Sequence, residues 1–189
     1  MLTVITPPGV EPITADEARL QTRAASTEDA YLALCIKGAR ASCESLTGRA
    51  LITRTVEQTF DGFDSAGLIL QSRPVASLTT VKYDDTAGVE QTLASCQLAT
   101  VNDLVLVLPP IGTDWPDTRA DKAGTVRVRF TTGYGATAAS VPDDIRTWLL
   151  LTIGYLYAQR ESFDMTGKVA DIPNRFTDRL LDNFRVYGA

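Results

Sequence analysis

The segment from Pro142 to Arg160, PDDIRTWLLLTIGYLYAQR, constrains the fold of this chain more than any other stretch. Asp143 and Asp144 follow Pro142 and place negative charge where a helix begins, at the positive end of its macrodipole. Residues 148–158 carry no charge, and their apolar side chains point in every direction around the predicted helix. A helix of this kind should be covered on all sides. The cover can come from the core of its own subunit or from a second subunit, and the pattern does not choose between them.

This apolar run is too short to cross a membrane. Eleven helical residues rise about 16 Å, whereas a span needs roughly 20 residues. Arg146 and Arg160 also place charge at both ends of the run. The first residues, MLTVITPPGV, have neither a basic segment nor a long apolar one, so the sequence predicts no signal peptide and no membrane partner.

Composition excludes several classes of function. The chain has 189 residues, 44% hydrophobic and 22% charged, which is typical of a soluble globular protein. The net charge of −5 argues against a surface built to hold nucleic acid. The absence of histidine removes the usual neutral-pH base and the commonest zinc ligand. The sequence therefore predicts no catalytic, cofactor or metal site, although a small enzyme using Asp or Tyr chemistry without histidine stays open as an alternative.

Two helices are predicted near the start of the chain. Thr14 and Glu17 have the spacing of a capping box, which begins a short helix. A longer helix follows from residues 26–28 to a C-cap at Gly48. One face of this helix is rich in small residues, including Gly38, and would allow a second helix to approach closely. Cys35 and Cys43 lie about 12 Å apart on the same helix, too far for a disulfide.

The middle of the chain alternates with period two and is predicted to be β-structure. Ile52, Val56 and Phe60 alternate with polar residues, and six further short strands are separated by turn residues. These strands are predicted at residues 68–70, 79–83, 89–93, 97–101, 104–108 and 125–131. Asp84 and Asp85 could form a carboxylate pair, but they fit a hairpin loop better.

The order helices, strands, helices predicts an α+β fold, a helical unit with an inserted antiparallel β-sheet. We expect a single domain over residues 1–189. Its helical parts should span 14–48 and 142–187, and the β insertion 50–132, with the strands in one sheet.

The last predicted helix, from about Pro173, carries an apolar stripe. Phe176, Leu180 and Phe184 recur every four residues, and Tyr187 follows. A short helix is marginal alone in water and must bury such a stripe. The core of the same subunit and a partner protein are both possible sites of burial.

The order of several motifs resembles the head-tail connector, or adaptor, family of tailed bacteriophages, including the prophage and gene transfer agent versions. The motifs that carry the resemblance are ITADEARLQTRA, LTGRALITRTVEQTFDGF, LILQSRPVASLTTVKYDD, VRVRFTTGYG, VPDDIRTWLLLTIGYLYAQRE and the closing LLDNFRVYG. They span most of the chain, whereas residues 165–174 match poorly.

The resemblance implies a structural virion protein without catalysis. Such proteins form a ring, typically twelvefold, on the portal of a filled head and extend the DNA channel towards the tail or a stopper protein. DNA should pass through without specific binding. The expected location is the head-tail junction of a phage-like particle assembled in the bacterial cytoplasm. Another tail-completion protein of similar size is the nearest alternative.

We expect the subunit contacts and the portal contacts on two separate sets of residues. The subunit contacts are predicted at Gly38, Ala41, Ser42, Trp148, Leu151 and Tyr155. Portal docking is predicted at Phe176, Leu180, Phe184 and Tyr187. The segment from Glu57 to Asp121 holds ten acidic and three basic residues, so part of it either faces the DNA channel or is simply a solvated surface.

Overall fold

The computed structural model describes residues 1–101, 103–159 and 179–185. Within these ranges the chain forms three α-helices and eight β-strands, and the predicted α+β fold with antiparallel strands is confirmed. The helices are α1 (Ala15–Thr22), α2 (Asp29–Thr47) and α3 (Asp143–Ala158). The strands are β1 (Leu2–Thr6), β2 (Arg54–Phe60), β3 (Leu68–Leu70), β4 (Val75–Asp84), β5 (Glu90–Leu93), β6 (Gln97–Val101), β7 (Leu104–Leu108) and β8 (Val126–Thr132). No helix in the described ranges is long and apolar enough to cross a membrane.

The chain divides into two compact units. The β unit comprises Met1–Pro8 and Thr53–Tyr134, and the helical unit comprises Gly9–Ile52 and Gly135–Ala189. The β unit thus takes its first strand, β1, from the start of the chain.

The strands of the β unit form two sheets instead of the single sheet expected. The larger sheet has the order β1-β2-β8-β4-β5, and the smaller has the order β3-β7-β6. Every neighbouring pair is antiparallel. The smaller sheet exists because Leu68, Leu70, Val105 and Val107 form a second apolar face that has to be buried.

The apolar faces of the two sheets share one core. Val56, Val81, Val128 and Phe130 contribute from the larger sheet, each at most 1% exposed. Strand β8 lies at the centre of that sheet, and its buried and half-buried residues alternate along its whole length. This alternation is the period-two pattern of a strand with one face in the core.

The helical unit is built from the predicted start and stop signals. Thr14 and Glu17 form both halves of the capping box of α1. Gly48 ends α2 with a positive φ of 66°, a conformation that glycine adopts without steric cost. Helix α3 packs on α1 and α2. Cys35 and Cys43 both lie on α2, and no disulfide joins them.

Candidate interaction surfaces

The small-residue face of α2 is exposed. Gly38, Ala41 and Ser42 are all exposed, and Leu34 on the same face is 65% exposed. The opposite face supplies the buried residues of this helix, among them Leu32 and Cys43. A Cβ at Gly38 would lie 3.8 Å from Leu156 of α3, so α3 borders the exposed face without covering it.

The predicted interface residues of α3 are in three different environments. Trp148 is buried at 5% exposure, Leu151 is half-buried and Tyr155 is 40% exposed. The buried residues of α3 are Ile145, Trp148, Leu149 and Ile153. They form one stripe, so the expectation that the helix is covered on all sides does not hold within the described part of a single chain. Leu151 and Tyr155 remain accessible to a partner, whereas Trp148 belongs to the core of the helical unit.

The apolar stripe predicted near the C-terminus is described only in part. Phe176 and Tyr187 lie outside the described residues. Leu180 and Phe184 are half-buried, and residues 182–184 form a 3₁₀ turn with extended backbone at Arg185. The predicted α-helix therefore does not continue through Phe184. A 3₁₀ turn has three residues per turn, so the four-residue spacing of the stripe no longer aligns its side chains.

This C-terminal stretch is attached to its own helical unit. Leu181 is fully buried, a position that the stripe did not include. The Arg49 Nε donates a hydrogen bond of 2.8 Å to the carbonyl of Phe184. For residues 179–185 the contacts thus favour the subunit's own core as the site of burial.

Arg146 joins two motifs that are far apart in the sequence. Its Nη1 donates to the carbonyls of Pro12 at 2.9 Å and Ala138 at 2.8 Å, and its Nη2 pairs with Glu17. The pKa of Glu17 is lowered, first by the backbone N–H of Thr14 and further by the Thr14 hydroxyl and Arg146. Arg146 thereby fixes the start of α1 against the start of α3. In the sequence Arg146 is recognisable only as a charge at the end of the apolar run, because no local pattern indicates so distant a partner.

The face of the larger sheet that points away from the core carries alternating charges. Pairs on this face are Arg129–Glu57 at 2.9 Å, Lys82–Glu90 at 2.6 Å and Arg127–Glu90 at 2.8 Å. Three of the basic partners, Lys122, Arg127 and Arg129, follow the acidic segment in the sequence. The count of ten acidic against three basic residues therefore overstates the charge of the folded unit. Residues 1–8 and 53–134 together hold ten acidic and seven basic side chains.

Asp84 and its neighbour Asp85 have different roles. Asp85 Oδ1 accepts hydrogen bonds from the backbone N–H groups of Ala87 and Val89, which confirms the predicted hairpin loop. Asp84 is buried and pairs with Arg127 at 2.7 Å and Lys122 at 2.6 Å. Hydrogen bonds from Arg127, and next from Lys122, lower the pKa of Asp84 to about 2. In the described ranges no group of His, Cys, Asp or Glu side chains could hold a metal ion.

The low pKa of Asp84 predicts a pH-dependent contribution to stability. A carboxyl whose folded pKa lies below its ordinary value of 3.8 stabilises the folded state above that value and loses this effect as the pH falls towards 2. We expect Asp84→Asn to lower the Tm at pH 7, with the difference from wild type disappearing between about pH 5 and pH 2. Thermal unfolding of both proteins across this range checks it. A difference that stays constant down to pH 2 would contradict the assignment.

Neither a protein-family model nor a curated protein sequence matches the chain. Solved structures of gene transfer agent particles contain chains of similar fold. The matching chain of "Virion of native gene transfer agent (GTA) particle" is 24% identical, with a TM-score of 0.83. The matching chain of "Neck of empty GTA particle computed with C6 symmetry" is 25% identical, with a TM-score of 0.81. The matching chain of "Neck of native GTA particle computed with C12 symmetry" is 24% identical, with a TM-score of 0.74. Each match covers 100% of this chain and 97% of the other.

Proposed function

We propose that this chain is a structural subunit of the neck of a phage-like particle, a head-tail connector that forms a ring on the portal and extends the DNA channel towards the tail. The observation that carries the proposal is the match along the whole chain to a chain of a gene transfer agent neck. The sequence motifs support the same function independently, because they resemble the connector family in amino-acid sequence alone. The partners are then further copies of the chain, the portal, and a stopper or tail-completion protein.

The exposed surfaces fit a subunit that is covered by its neighbours. On α2 the accessible small residues Gly38, Ala41 and Ser42 would allow a helix of another copy to pack closely. Leu34 would add apolar area to the same contact. On α3 Leu151 and Tyr155 offer further contact area. A twelvefold ring agrees with the C12 symmetry of one of the similar necks. Portal docking through Leu180 and Phe184 stays a prediction, and both side chains are half-buried in the single chain.

The proposal can be tested by mixing the purified chain with a portal from the same genome and imaging the mixture by electron microscopy. The expected result is a ring coaxial with the portal, with a channel along the common axis. A portal of an unrelated phage serves as the control and should remain bare. A chain that leaves its own portal bare, or that hydrolyses small substrates, would contradict the connector function.

A connector whose channel only passes DNA should not bind it. Ten acidic against seven basic side chains in the β unit, and the net charge of −5, leave no surplus of positive charge to neutralise phosphates. We expect no binding of a fluorescent duplex by the free chain at physiological salt, measured by fluorescence anisotropy. Sub-micromolar binding would overturn this prediction.

A further inference from the structure

Strand β1 is an exposed edge of the larger sheet. All five of its residues are exposed, including Leu2 at 36%, Val4 at 48% and Ile5 at 41%. Among the described residues β1 pairs with β2 alone. Natural edge strands are usually protected by charge, yet residues 1–10 contain no charged side chain. An apolar, uncharged edge of this kind is suited to receive another strand.

The hydrogen bonds identify which backbone groups of β1 point outward. The Thr59 N–H donates to the Met1 carbonyl at 2.9 Å, and the Met1 amino group donates to the Thr59 carbonyl at 3.2 Å. Bonded and non-bonded pairs alternate along an antiparallel ladder. Thr3 is thus bonded to β2, whereas the N–H and C=O groups of Leu2 and Val4 point to the open edge.

Strand β5, at the other end of the same sheet, has a matching edge. The Asp85 N–H bonds to the Val89 carbonyl at 3.0 Å, so by alternation Gln91 and Leu93 are bonded to β4. The N–H and C=O groups of Glu90 and Thr92 then point outward. Both side chains are exposed, and β5 pairs with β4 alone in the part of the chain that the structure describes.

The directions of the two edges decide how they can meet in a ring. Four antiparallel steps separate β1 from β5, so the two strands run in the same direction. Neighbouring subunits of a twelvefold ring differ by a rotation of about 30°, which cannot reverse a strand. The β1 strand of one copy would therefore meet β5 of the next in parallel orientation.

The register that places Leu2 beside Gln91 satisfies both the side chains and the backbone. Leu2 and Val4 lie opposite Gln58 and Val56, which point into the core. Leu93 packs against the same core. With Leu2 beside Gln91 and Val4 beside Leu93, the side chains on the core face of each subunit's sheet stay on one face of the sheet that runs through both subunits. The outward groups of Leu2 then meet those of Glu90 and Thr92, as a parallel ladder requires.

We propose that β1 of each copy adds to the open edge of β5 in the next copy, so that the larger sheets continue from subunit to subunit around the ring. The inference rests on the proposed function, because it needs a ring of identical chains. It assigns the contact to the β unit, in addition to any contact made by α2 and α3.

Site-directed cross-linking on the portal-assembled chain tests this contact. Leu2→Cys and Gln91→Cys are combined in one chain with Cys96→Ser, and the assembly is treated with a short bismaleimide. Within a chain, β1 and β5 are separated by four strand spacings, about 19 Å, so a short linker cannot join them there. The expected result is a ladder of covalent multimers in place of the monomer band. The single variants Leu2→Cys and Gln91→Cys should stay monomeric, and a dimer with Leu2→Cys alone would indicate a twofold β1–β1 contact and overturn the proposal.

A backbone variant gives a second readout. Val4→Pro removes an N–H that points to the open edge and keeps the bonds between β1 and β2, so the subunit should fold with an unchanged Tm while ring formation is lost. The matched control Val4→Ala keeps the N–H and should still form rings. Normal ring formation by Val4→Pro would overturn the strand contact and leave the connector function intact. Rings of the double-cysteine variant that give no covalent ladder would do the same. The absence of any ring with the wild-type chain would overturn both.

Discussion

Trp148→Ala is expected to destabilise the helical unit by about 3–5 kcal/mol, the usual cost of removing a large aromatic side chain from a packed core. Trp148 is 5% exposed and lies on the buried stripe of α3 with Ile145 and Leu149. Since α3 packs on both α1 and α2, the cavity would weaken the centre of the helical unit. The measurement is urea unfolding followed by circular dichroism at the helical band.

Tyr155→Ala is the matched comparison on the same helix. Tyr155 is 40% exposed, so its removal should change the free energy of unfolding by less than about 1 kcal/mol. If Tyr155 contacts a neighbouring subunit, this variant should also lose ring formation on the portal while the subunit remains folded. Similar destabilisation by the two substitutions would show that Tyr155 is also a core residue and would remove it from the interface.

The elements predicted well from sequence are those whose signals are local. The capping box of Thr14 and Glu17 and the C-cap at Gly48 depend on a few neighbouring residues, and both are present. Strands β3, β6 and β7 have the predicted bounds, because turn residues mark their ends. The hairpin loop at Asp85 follows from the same chemistry.

The features that sequence could not predict depend on distant partners. Arg146 bonds to Pro12, more than a hundred residues away, and nothing around it indicates this contact. Strand β1 pairs with β2, which lies far away in the sequence, and nothing within residues 2–6 indicates this partner. The division into two sheets likewise depends on which apolar faces pack together. A period-two pattern indicates only that a strand has an apolar face, and it does not identify the strand's neighbours.

The predicted interface residues fall into the same two groups, those with a local sequence signal and those without one. The spacing of Gly38, Ala41 and Ser42 predicted a face rich in small residues, and that face is accessible. Trp148 was predicted at the same interface because a run of uncharged residues does not show which of its side chains point towards the core. Only the packing of α3 on α1 and α2 shows which of its apolar residues point inward.

Phe130→Ala is expected to lower the free energy of unfolding of the β unit by about 3–5 kcal/mol. Phe130 is 0% exposed on the central strand β8, where it lies opposite Val56 on one side and Leu78 on the other. Its ring belongs to the core shared by the two sheets, so its loss leaves a cavity that neither sheet can close alone. A typical domain is stable by about 5–15 kcal/mol, and a large part of that margin would be removed.

The two tryptophans allow this effect to be assigned to the β unit, since Trp115 lies in that unit and Trp148 in the helical unit. Trp115 stacks on Phe63 at a ring distance of 4.4 Å, and both rings pack against the core that contains Phe130. In a Trp148→Phe background, urea unfolding followed by Trp115 fluorescence should therefore shift to lower denaturant with Phe130→Ala. Thr131→Ala, the next residue on the opposite face of β8, is the control and should cost less than about 1 kcal/mol. Equal small shifts for both variants would mean that Phe130 does not hold the two sheets together.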